Sequence, residues 1–82
     1  MLCQVYRSPR QNEMYLYVAR EEGLNRVPAA LLERFGEPEE VMMVLLDGKR
    51  KLARVDAAEV VDKIREQGFF LQMPPGRHEP GR

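Results

Sequence analysis

One cysteine and one histidine are all that these 82 residues supply of the side chains on which most metal and nucleophilic centres are built. Cys3 has no second cysteine with which to close an intrachain disulfide, and a thiol needs a neighbouring base and an electropositive pocket to react as thiolate. The sole histidine, His78, lies near the other end of the chain, in a stretch of Gly, Pro and charge. No CxxC, HxxxH or carboxylate–histidine cluster is written anywhere, so no metal, no cofactor and no catalytic residue is expected. Cys3 reads as a buried, inert thiol. Ser8 lacks the partners of a triad, and Glu37, Glu39 and Glu40 read as a solvated acidic bend. The chain is not expected to be an enzyme.

Net charge is missing too. Thirteen Lys and Arg balance thirteen Asp and Glu, so no whole-molecule field draws the chain to nucleic acid or an anionic bilayer. Any anion site has to be a local patch. The longest apolar run, Val41 to Leu46, falls far short of the roughly 18 residues of a spanning helix, and no charged-then-apolar leader precedes Cys3. A soluble, cytoplasmic protein without a membrane partner is expected. With 44% apolar and 32% charged residues, the composition is that of one small globular domain rather than a disordered chain.

What is present is punctuation. Residues 2–6 are short, β-branched and aromatic, and Ser8 to Asn12 supplies turn residues before a second strand at Met14 to Ala19. In that strand Met14, Leu16 and Val18 share one face and Tyr15 and Tyr17 the other, which places it inside a sheet with both faces covered. Pro28 at a first helical position and Gly36 just past the end bracket a helix at about 28–35 with Leu31, Leu32 and Phe35 as its stripe. Val41 to Leu46, apolar without alternation, reads as a central strand. Asp47-Gly48 favours a tight turn, after which Lys49 to Val55 returns as a fourth strand or as an ordered loop. Asp56 and Glu59 have capping-box spacing ahead of a helix at 57–67, with Ala57, Val60, Val61 and Ile64 as its buried stripe, Glu59 and Lys63 as a surface pair and Gly68 as its stop. Residues 69–73 form a last strand, Pro74-Pro75 ends pairing, and 76–82 read as a mobile tail outside a domain of residues 1–75.

The sequence closely resembles the YcgL family of small bacterial proteins in Cys3 to Ser8, Tyr15 to Val18, Arg26-Val27-Pro28, Phe35-Gly36, Leu46-Asp47-Gly48, Lys51-Leu52, Gln67-Gly68, Leu71-Gln72 and Pro74-Pro75. The resemblance implies an α+β domain arranged as an α/β/α sandwich, a largely antiparallel sheet with helices on both faces. It implies no biochemical activity and transfers no site residue.

Lys49, Arg50, Lys51 and Arg54 are the densest basic cluster, with Arg7 and Arg10 as potential additions if the hairpin ends are adjacent. Such a turn reads either as charge guarding a sheet edge or as an anion site. Tyr15 and Tyr17 read as core beneath a helix or, were the sheet open, as base-stacking platforms. Two functions follow. The first is a non-catalytic interaction or adaptor domain with a protein partner; the alternative is an RNA-associated accessory protein that binds through Lys49, Arg50, Lys51 and Arg54.

Overall fold

A computed structural model describes residues 1–46 and 56–74. In chain order the elements are β1 (Leu2–Arg7), β2 (Tyr15–Ala19), α1 (Ala29–Phe35), β3 (Glu39–Leu45), α2 (Ala57–Gln67) and β4 (Phe70–Gln72). The strands form one antiparallel sheet in the order β3-β1-β2-β4, making this an α+β domain of four strands and two helices. The expected strand at Lys49 to Val55, the basic turn and the tail after Pro75 lie outside the described residues.

The hairpin of β1 and β2 is as the sequence predicts, with Cys3 opposite Ala19 and Arg7 opposite Tyr15. Its wide loop is held by Ser8, whose buried hydroxyl donates to the Phe35 carbonyl and accepts the N–H groups of Arg10 and Gln11, each at 3.1 Å. One side chain thereby satisfies the loop and ties it to the end of α1. Strand β2 lies inside the sheet, and its alternation feeds two separate cores. Tyr17 and Ala19 join Cys3, Val5, Val44 and Leu46 with Ala57, Val60, Val61 and Ile64 of α2. Met14, Leu16 and Val18 join Val27 and Phe35, with Leu31 and Leu32 of α1 packed against them.

Both helices end where glycine permits positive φ. Gly36 (φ 90°) and Gly68 (φ 98°) donate their N–H groups to Leu32 and Ile64. Their starts differ from expectation. Pro28 is the extended residue before α1 and not its first helical residue. Asp56 occupies the N-cap of α2, yet its side chain makes no cap hydrogen bond. The Glu59 N–H that a capping box would offer it already bonds the Asp56 carbonyl at 3.1 Å. Lys63 pairs with Glu66 at 3.5 Å in place of the predicted Glu59.

The burial of β3 differs from expectation. It pairs with β1 and is the outer one among the described strands, while the segment expected to return beside it, Lys49 to Val55, lies outside the described residues. An apolar run does not encode which neighbour covers it, and here Val44 and Leu46 are buried while Val41, Met42, Met43 and Leu45 are exposed. A register shift between Val5 and Tyr6 makes Val41 an extra residue, so Glu40 faces Tyr6 and Glu39 faces Arg7. At the opposite end the Met1 ammonium donates to the Leu46 carbonyl at 2.7 Å, and the Leu46 N–H returns a bond to Met1 at 2.8 Å.

Candidate functional site

The residues singled out for chemistry are mostly structural where they can be seen. Cys3 is fully buried beneath α2, its thiol donating to the Met1 carbonyl at 3.8 Å. Burial pushes the thiol pKa up, opposed in part by the positive amino terminus, which is the reverse of what a nucleophile needs. A thiol whose pKa is raised by folding contributes stability that is fully present below its unfolded value and is lost as pH rises through the folded value. We therefore expect a stability loss at alkaline pH that Cys3→Ala diminishes, together with slow labelling by a thiol reagent that becomes fast in denaturant. Equal labelling rates in both states would show that the thiol is open to solvent.

Tyr17 is core, its hydroxyl donating to the buried Gln72 amide oxygen at 3.1 Å and its ring meeting Phe70 edge-on at 6.0 Å. Tyr15 packs half-buried against the same cluster. The tyrosines thus stand in the packing on the α2 side, as the core reading has it. Arg7 is held by Glu39 at 2.8 Å, and this contact raises its pKa further. Glu39 is thus an ion-pair partner in a strand and not part of a solvated bend. Glu40 remains exposed. Lys49, Arg50, Lys51 and Arg54, the predicted contact residues, lie outside the described residues. Among the described residues, no group of three or more His, Cys, Asp or Glu side chains could hold a metal ion.

Two surfaces stand out that sequence reading did not isolate. The first is an apolar sheet face. Alternation along β1 puts Leu2 on the same face as Tyr6, and their partners Leu45 and Glu40 share it, as does Met43 opposite Gln4. Over β2 this face is covered by Val27, Phe35 and the half-buried Leu24, Leu31 and Leu32. Over β1 and β3 it is open, leaving Leu2 46%, Met43 51% and Leu45 61% exposed. Arg20 borders it, its Nε donating to the Met43 sulfur at 2.8 Å. A contiguous apolar patch on one face differs from scattered exposed residues because it lowers the cost of desolvating the surface for a partner.

The second surface is a groove of about 750 Å³ between α1 and β4. Met14, Leu31, Phe35, Leu71 and Met73 form its apolar walls, and Gln11 and Arg34 supply its polar groups. Its residues come from three distant stretches, which is why no local motif announces it. The hint available in the sequence was Arg34 on the last turn of α1, next to the apolar stripe.

The YcgL domain profile matches residues 3–75. The chain is 58% identical over 78 residues to a YcgL domain-containing protein of Pseudomonas paraeruginosa, covering 95% of this chain and 80% of that protein. It is 56% identical to one from Pseudomonas aeruginosa over the same shares, and 53% identical over 76 residues to one from Chromohalobacter salexigens, covering 93% of this chain and 79% of the relative. These names specify a domain and state no reaction.

Proposed function

We propose that this chain, which belongs to the YcgL family, is a non-catalytic interaction domain that engages a protein partner through the open face of β1 and β3. The observation that carries this reading is the Leu2, Met43 and Leu45 patch, which has no role in the two cores yet exposes about half of each side chain. Burying such side chains is worth roughly 25 cal/mol per Å², so the face stores association energy that the isolated fold leaves unused. The reading includes an α/β/α sandwich. It is supported by the division of alternate β2 residues between a core containing α2 and a core containing Phe35 of α1. Cytoplasmic residence belongs to the same reading, alongside the finding that no helix among the described residues is long and apolar enough to cross a membrane.

The test compares the natural chain with Met43→Glu/Leu45→Glu in crosslinking and affinity capture from host extract treated with nuclease. Both positions are exposed, so the fold is expected to keep its stability within about 0.5 kcal/mol, the usual range for surface changes. Loss of a specific crosslinked protein in the variant is the expected result. An unchanged crosslinking pattern, or one lost to nuclease in the natural chain, would sink it. The nuclease-sensitive outcome points instead to the RNA reading through Lys49, Arg50, Lys51 and Arg54. Its signature is a binding affinity falling with salt by about 0.7–0.9 in logarithmic slope for each phosphate contacted.

A further inference from the structure

The groove between α1 and β4 lies beside a strand edge, and the geometry points to a second, separate site there, one that takes an extended apolar peptide bearing a carboxylate. Three observations converge. Among the described strands β4 pairs only with β2, so the opposite side of Phe70–Gln72 presents main-chain groups with no ladder partner from a described strand. Main-chain donors and acceptors along an edge are what an added strand pairs with. Leu71 of β4 and Met73 just beyond it line the groove together with Leu31 and Phe35 of α1. Side chains of an added strand alternate, so every second residue of an extended peptide would drop into that apolar space while the others face away. Arg34 is the one charged side chain lining the groove among the described residues. A guanidinium presents a planar fork of donors that matches a carboxylate, which fixes both the charge and the end-to-end direction of the occupant.

The three features select against other occupants. A folded, flat surface would not reach the groove floor, a cation would meet Arg34, and a purely apolar small molecule would leave the β4 edge unpaired. This site is distinct from the β1 and β3 face, which lies on the far side of β2 from β4. It therefore stands or falls separately from the interaction reading above.

The experiment uses the full chain and a hexapeptide of alternating Thr and Leu, once with a free C-terminal carboxylate and once amidated, read by fluorescence anisotropy and by amide chemical shifts. Saturable binding is expected, with the largest shifts at Phe70–Gln72 and along α1. Amidation should weaken it about three- to fivefold, the scale of an exposed ion pair. Arg34→Ala should weaken the acid by the same factor and abolish the difference between acid and amide. Ala30→Trp, at an exposed position lining the groove, should reduce binding at least about tenfold by filling the space that the Leu side chains need, since overfilled sites do not accommodate both groups. Circular dichroism establishes that each variant is folded. Absence of saturable shifts at Phe70–Gln72 at millimolar peptide overturns the site, as does unchanged binding to Ala30→Trp. Shifts that grow with protein concentration alone would assign the groove to a second copy and overturn the peptide.

Discussion

Phe35→Ala is expected to destabilise the fold by about 3–5 kcal/mol, the cost of removing a buried aromatic ring and leaving its cavity. Phe35 is fully buried and is the one wholly buried residue that α1 contributes, so no neighbour on that helix can take its place. Ile64→Ala should cost about 2–5 kcal/mol, because Ile64 anchors α2 in the other cluster. Against a total of about 5–15 kcal/mol for a small domain, either change removes a large part of the margin. The milder pair Phe35→Leu and Ile64→Val keeps the chain folded and permits a sharper measurement. The two residues sit in separate clusters, so their effects on the denaturation midpoint should add to within about 0.3–0.5 kcal/mol. Strong coupling between them would mean one continuous core, and the proposed sandwich would be wrong.

Gly68→Val is the second large effect, and it acts through the backbone. Gly68 ends α2 at φ 98°, and a Cβ there would overlap the Cβ of Arg26. Positive φ costs an L-residue about 1–3 kcal/mol and is worst for a β-branched one. The overlap adds to this, since a Cβ cannot swing aside as the far end of a flexible side chain can. Arg26 is further held by its bond to the Glu66 carbonyl at 3.4 Å and its pair with Glu22 at 3.6 Å. Thermal melts of Gly68→Ala and Gly68→Val should fall in that order below the natural chain. A Gly68→Val variant melting with the natural chain would show that the turn relaxes freely.

The same position illustrates what the sequence reveals. Gln67-Gly68 stopping a helix is a local rule, and so are the α2 stripe, the breaker residues after β1 and the alternation of β2. Each is settled by residues within one turn or one strand, and the structure follows all four. Capping at Asp56 failed because a backbone bond three residues long competed for the same N–H, a contest that sequence spacing does not record. The exposure of β3 has another origin. Val41 to Leu46 is equally apolar whether its side chains are covered or open, and what covers them is decided by elements distant in sequence. The apolar face and the groove were invisible for that reason. Each is made by what a distant element leaves uncovered, whereas the basic run of Lys49 to Arg54 is marked by composition alone.

The reciprocal bonds between Met1 and Leu46 give the amino terminus a part in the architecture. The charged nitrogen donates one of its protons to the Leu46 carbonyl at the corner where β1 and the end of β3 close together. Acylating that nitrogen, or continuing the chain through it as a fused tag does, leaves a single N–H, removes the charge and brings new atoms alongside Leu2. The chemistry at the Met1 nitrogen is thereby coupled to the open apolar face of β1 and β3. Whether that nitrogen is free or acylated is itself a variable in anything the face is asked to bind.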